Sequence, residues 1–203
     1  MKQAFGTLPN FVILVLAAGQ SSRFGSDKLL AKMSDGRPVI AHSLAPLQVL
    51  ANKYRLNLCV VTRADNQDLI DYLSAHHIPY TLCHNAHLGM GHSIAHGIKS
   101  NQVSQGWMIS LADMPRLTTD VLEALIKNII KHPQHIVRPS FLEKGKRIPS
   151  HPVYFPQKFG FKLSQLTGDD GAKKIIQQQT LIDISDDTCL IDVDTPEALQ
   201  QLK

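Results

Sequence analysis

No apolar run in this 203-residue chain approaches the ~20 residues needed to cross a bilayer. Cysteine is scarce: Cys59, Cys83 and Cys189 are odd in number, far apart and outside any C-x-x-C pattern. That excludes a disulfide framework and reads as a chain for a reducing cytosol. Aromatic residues make up only 6% and the basic residues are scattered, so no nucleic-acid-binding stripe emerges. No G-x-x-x-x-G-K-[ST] string occurs, which removes a P-loop, and without G-x-G-x-x-G a dinucleotide fold has no support. Repeats, low-complexity tracts and linkers are also missing. The expectation is one domain over residues 1–203, with a short N-terminal extension at 1–10. A hydrophobic share of 43%, a charged share of 19% and a net charge of +4 are ordinary for a globular protein.

What is present alternates between strand and helix patterns almost to the C-terminus. Phe11 to Val15 and Trp107 to Ala112 are nearly continuous apolar runs of the kind buried on both faces of a parallel sheet. Leu56 to Val61 and Tyr80 to Cys83 read as further strands. Helices are expected from Pro38, after a cap at Asp65, from the glycine-rich turn at Gly89, and after Thr118 or Thr119. Less regular signals suggest strands near Ile136 and Val153, a helix after Pro156, and another around Ala172 to Gln178. A strand over Leu190 to Val193 and a last helix from Pro196 complete the pattern. The fold class is therefore α/β, a single three-layer α/β/α domain with a mainly parallel sheet, Rossmann-like in the broad sense. Met1, Lys2 and the apolar run from Phe11 could pass for a signal peptide, but the ten mostly polar residues before that run argue against it. A cytoplasmic location is the expectation.

The most specific stretch is Leu16-Ala17-Ala18-Gly19-Gln20-Ser21-Ser22-Arg23-Phe24-Gly25-Ser26-Asp27-Lys28, directly after the first strand. Small residues let backbone N–H groups converge on an anion, and Arg23 and Lys28 neutralise it. A surface turn with two solvated cations is the plain alternative. The string resembles the L-A-A-G-x-S-x-R-x-G-x-x-K signature of the MobA-like nucleotidyltransferases, and within them the molybdenum cofactor cytidylyltransferases. The resemblance runs from Val12 to Leu199 and implies a nucleotide-diphospho-sugar-transferase-like fold, with Leu16, Ala17, Ala18, Gly19, Arg23 and Lys28 binding nucleotide.

Further motifs carry the resemblance onward. Asp113, in Leu111-Ala112-Asp113-Met114-Pro115, reads as a turn cap or, by resemblance, as a ligand for Mg²⁺, which takes hard oxygen donors. Asp192-Val193-Asp194-Thr195-Pro196 supplies a second carboxylate, with Asp194 favoured as the metal ligand and Asp192 nearer the acceptor, although Asp194 could simply cap a helix. Gly89-Met90-Gly91-His92-Ser93 matches a G-x-G-x-S whose Gly89, Gly91 and Ser93 lie near nucleotide, or is a plain turn. His92 and His96 share a helical face, but no carboxylate or cysteine nearby completes a zinc set. Ser150-His151-Pro152-Val153 and Leu166-Thr167-Gly168-Asp169-Asp170-Gly171-Ala172-Lys173 resemble acceptor-binding stretches, placing His151 and Asp169 there. Ser150 stands where glycine is usual and Lys173 where arginine is usual, which keeps the charge but loses the bidentate fork.

The resemblance implies transfer of CMP from CTP to molybdopterin or molybdenum cofactor with pyrophosphate release, with Mg²⁺ as cofactor. Arg23, Lys28 and Asp113 are the catalytic candidates. Ala18 favours cytidylyl over guanylyl transfer, because guanylyl relatives typically carry glycine there and the added methyl would obstruct a purine. Alternatives are guanylyl or other NTP transfer to another phosphorylated acceptor, a non-catalytic chaperone for a molybdoenzyme, and a phosphate-binding domain without activity. The expected partners are CTP, the pterin substrate and a recipient molybdoenzyme, with neither nucleic acid nor membrane.

Overall fold

A computed structural model describes residues 7–19, 27–102, 104–176 and 179–184. Strand β1, Val12–Ala17, carries Val-Ile-Leu-Val-Leu-Ala with almost nothing exposed. Alternation sends Ile13, Val15 and Ala17 into one apolar cluster, and Val12 and Leu14 into another on the opposite face. A strand apolar on both faces needs helices on both. Helices α1 (Val39–Tyr54), α2 (Gln67–Ala75) and α4 (Thr119–Lys131) put Leu44, Leu47, Leu69, Leu73, Leu125 and Ile129 against the first face. Helices α3 (Met90–Ser100) and α5 (Gly160–Ser164) cover the second through Ile94, Ile98 and Leu163.

The other strands are β2 (Asn57–Arg63), β3 (Tyr80–Cys83), β4 (Gly106–Leu111), β5 (Ile136–Glu143), β6 (Lys146–Pro149), β7 (Val153–Pro156) and β8 (Gln179–Asp183). The sheet runs β3-β2-β1-β4-β7-β5-β6, with β8 pairing β5. The ladders among β1, β2, β3 and β4 are parallel, whereas β7 is antiparallel to both β4 and β5. The chain builds outward from β1 through β2 to β3, then returns to lay β4 on the other side of β1. Strand order therefore reverses between β1 and β4, and a crevice opens at their carboxyl ends.

Several expectations shift. The cap of α2 is Asn66, one residue past Asp65, its side chain accepting from the Leu69 amide at 3.3 Å. Thr118, of the two threonines considered, caps α4 through the Val121 amide. The helix expected after Pro156 is a 3₁₀ turn over Gln157–Phe159 followed by the short α5. Of the helix expected over Ala172 to Gln178, the described part is a 3₁₀ turn over Lys173–Ile175, and β8 starts at Gln179. Strands β6 and β8 carry no sequence pattern that announces them. The strand over Leu190 to Val193 and the helix from Pro196 lie outside the described residues.

The β4–β7 join leaves no room at its first pair. A Cβ on Gly106 would stand 2.8 Å from the Phe155 carbonyl oxygen and 2.8 Å from the Tyr154 ring, which is fully buried. Gly106→Ala is expected to lower stability by ~1–3 kcal/mol, the cost of overpacking a filled core. Urea unfolding measures it, and an unmoved midpoint would mean that the two strands part freely.

Candidate active site

The crevice is framed by the ends of β1 and β4, tied by the Ala112 amide donating to the Leu16 carbonyl at 3.0 Å. Asp113 follows β4 at this edge. Lys28, 85 positions earlier, donates to its Oδ2 at 2.5 Å, and the two side chains are only 13% and 14% exposed. The turn carrying Lys28 is pinned from below. Asp27 accepts from the Leu29 amide at 3.0 Å and from the Asn66 side chain at 2.5 Å, while Leu29 is buried. Asn66 therefore both caps α2 and holds the turn that presents Lys28. Sequence reasoning missed this role of Asp27 and Asn66, though Asp27 stands directly before the lysine. Arg23, Asp192 and Asp194 lie outside the described residues.

Ala18 and Gly19 open the loop after β1. Ala17 is 2% and Ala18 6% exposed, and Ala18 packs with Val61, Cys83 and Ala86. The Ala18 methyl is thus committed to the protein, which corrects the notion that it screens a base by steric contact. At Gly19 a Cβ would meet nothing within 4 Å among the described residues.

Gly89, Gly91 and Ser93 stand where the chain enters α3, but the glycines have a second reason to be there. Gly89 has φ +113, and a Cβ on it would collide with Asp169 Oδ1 and fall 2.5 Å from the Gly168 carbonyl carbon. On Gly91 it would fall 2.6 Å from the Thr167 oxygen. The Gly91 amide donates to the Gly168 carbonyl at 2.7 Å, so that N–H is committed within the protein. Ser93 is buried, with its hydroxyl beside the Cys83 thiol. Two glycine motifs that read as separate along the sequence thus form one contact in space.

His151 and Asp169 line a single cavity of about 360 Å³, floored by Leu16, Ile109, Val153 and Phe155. Val153, the first residue of β7, pairs with Ile109 toward the carboxyl end of β4, and His151 precedes it by two residues. Burial, and then the positive charge of Arg138, push the His151 imidazole down to about 4. At neutral pH it is an uncharged hydrogen-bonding group. Arg138, which sequence reasoning did not select, lines the same cavity, and its Nε donates to the Ser150 carbonyl at 2.9 Å. His96 makes a 2.8 Å hydrogen bond with Thr81 between α3 and β3, a structural use for one of the paired histidines. Among the described residues no helix is long and apolar enough to cross a membrane.

The family model of the MobA-like NTP transferase domain matches residues 13–183. The chain is 28% identical to the purine catabolism protein PucB of Bacillus subtilis (strain 168), over 96% of this chain and 97% of that protein. Its fold is similar to that of Rv0371c from Mycobacterium tuberculosis H37Rv in complex with manganese. The TM-score is 0.70 at 18% identity, covering 95% of this chain and 97% of that one. It is also similar to molybdopterin-guanine dinucleotide biosynthesis protein A from Archaeoglobus fulgidus. There the TM-score is 0.66 at 16% identity, covering 94% and 96%.

His151 gives a pH prediction with a definite sign. Its folded pKa of about 4 lies below the ordinary 6.5 that it regains on unfolding. The stability it contributes is therefore fully present above pH 6.5 and is lost as the pH falls toward 4, where the unfolded chain binds the extra proton. Of the ten histidines, the His151 ring resonances should titrate well below the free-imidazole range in NMR spectra. A midpoint near 6.5 would contradict the enclosed, Arg138-facing placement.

Proposed function

We propose that this chain, which belongs to the MobA-like NTP transferase family, transfers CMP from CTP to the terminal phosphate of a molybdenum-bound pterin and releases pyrophosphate. It is a nucleotidyltransferase by that membership, and the base and acceptor are our reading. The observation that carries it is the Lys28–Asp113 pair, held at the crevice where strand order reverses, beside the backbone of Leu16 to Gly19.

In this reading an acceptor phosphate oxygen attacks the α-phosphorus of the nucleotide. The bond to the bridging oxygen breaks, and pyrophosphate leaves with that electron pair. The attacking phosphate is already anionic, so no strong base is required, and alignment and charge neutralisation do most of the work. Lys28, with Arg23, faces the β and γ phosphates. The Leu16 to Gly19 backbone holds the nucleotide, and Gly89, Gly91 and Ser93 shape the wall beside it. His151, Asp169 and Asp192 serve the acceptor. Asp113 is a largely enclosed hard oxygen donor at this edge, which suits an ion held by one or two carboxylates together with phosphate oxygens and water. Mg²⁺ would be held by Asp113 with Asp194, and when bound it neutralises triphosphate charge. The manganese complex of the mycobacterial relative supports a divalent ion in this fold. A second reading, GTP as donor or a different phosphorylated acceptor, draws support from the name of the Archaeoglobus relative. A recipient molybdoenzyme would take the product.

The test is pyrophosphate release with each of the four NTPs, with and without molybdenum-loaded pterin. CTP is expected to be preferred over GTP by roughly five- to 150-fold, the effect of ~1–3 kcal/mol for a base edge left unpartnered. A preference for GTP would overturn the cytidylyl reading. No release with any nucleotide would favour a chaperone.

Asp113→Asn is expected to abolish turnover, because the amide keeps the shape but loses the charge. Lys28→Ala should lower kcat by ~10²–10³ if the lysine meets charge that grows in the transition state. Melting curves of both variants separate lost chemistry from the loss of a mostly buried ion pair. Asp113→Asn turnover within a few-fold of the parent would remove the carboxylate from the mechanism.

A further inference from the structure

The cavity beside the β4–β7 join contains a cation that the described protein does not neutralise. Arg138 is on β5, on the same face as Ile136, and its Nε is spent on the Ser150 carbonyl at 2.9 Å. A guanidinium has five N–H donors in a fixed fork, which leaves the Nη donors. Among the described residues Arg138 makes no ion pair and no other hydrogen bond. Neither of the two carboxylates that line the cavity is bonded to Arg138. Asp170 pairs with Lys174 at 2.5 Å, and Asp169 is lodged against Gly89. Burial pushes the Arg138 pKa down, and the neighbouring His151 stays neutral beside it.

A half-buried cation without a counter-charge among the described residues carries a desolvation cost, and propping one carbonyl does not require a charge at all. A neutral glutamine could donate to Ser150 equally well. Leu16, Ile94, Ile109, Val153 and Phe155 supply apolar wall, and Lys173 lines the same cavity.

We infer that Arg138 is the anion anchor of the acceptor site: its free Nη edge takes the phosphate of a phosphate monoester whose apolar body lies along Leu16, Ile109, Val153 and Phe155. This rests on the reading of the cavity as the acceptor site, and it names the residue that would select a phosphorylated acceptor over its alcohol. A planar fork matches two phosphate oxygens at once, which a lysine cannot do.

Phenyl phosphate is a suitable probe, because it joins a flat apolar ring to a phosphate monoester. Calorimetric titration of the full chain should show binding that Arg138→Gln weakens roughly ten- to 100-fold, in line with lost hydrogen bonds to a charged group. Phenol should bind both proteins equally. CTP affinity should be the same in both, since the hydrogen bond of Arg138 goes to Ser150 and not to Lys28, Asp113 or the Leu16 to Gly19 backbone. In the parent protein the bound phosphate, still an anion in the range where His151 titrates, should also raise the pH at which the His151 ring takes its proton, because it offsets the charge of Arg138. Equal phenyl phosphate affinity in Arg138→Gln would overturn the proposal. So would a probe that CTP displaces without any shift at His151. If the glutamine variant does not fold, the His151 shift in the parent decides alone. Failure of the CTP–pterin reading would appear in the turnover assay and leave these binding results untouched.

Discussion

Burial of β1 on both faces is the constraint from which the site follows. Its six residues leave almost no surface to water, so neither face can offer a ligand anything but apolar packing. Chemistry is confined to the strand end, where the backbone runs out of ladder partners. The reversal of strand order places that end between β2 and β4 and holds the crevice open. Everything polar then has to be delivered to one edge. Lys28 arrives from the loop beyond β1, Asp113 from β4, and Asn66 steadies the lysine turn from the start of α2.

Two cations, Lys28 and Arg138, are held in opposite ways. Lys28 is compensated by Asp113 at 2.5 Å, so the pair can sit mostly out of water without leaving a bare charge. Arg138 has a backbone carbonyl and a neutral imidazole for company. A compensated lysine is set in place before any ligand arrives. A guanidinium without a counter-charge among the described residues gains most when an anion does, so in the proposed reading the two positions favour different moments of one catalytic cycle. The first supports an edge prepared for the nucleotide, and the second a pocket completed by its acceptor.

The legible part of the fold was the part with local causes. β1 and β4 read directly because double burial demands unbroken apolar runs, and α4 because its 3.6-residue stripe matches its buried face. Lys28 and Asp113 were each identifiable from the strand end or loop that carries them, although their contact spans 85 positions. β6 was hidden because Lys146 and Arg147 are exposed and show no inward alternation, and β8 because it is only half covered. Arg138 escaped notice for a related reason. Its meaning lies in the charge balance around it in space, and that balance leaves no trace in spacing along a chain.

The glycines of Gly89-Met90-Gly91 show how a motif can be located correctly and explained incompletely. The turn signal placed them at the start of α3, where they stand. Their lack of side chains, however, is demanded by the Thr167-Gly168-Asp169 segment, which approaches to distances no Cβ would tolerate. The Gly91 to Gly168 hydrogen bond turns that approach into a fixed joint. Asp169 and Met90 both line the cavity that the proposed function gives to the acceptor, so in that reading the segment that starts α3 also forms a wall of the acceptor site. Because the joint is made between backbones, neither segment can shift without breaking it or carrying the other along. The two segments are therefore coupled through main-chain contact, and that coupling needs glycine where α3 begins.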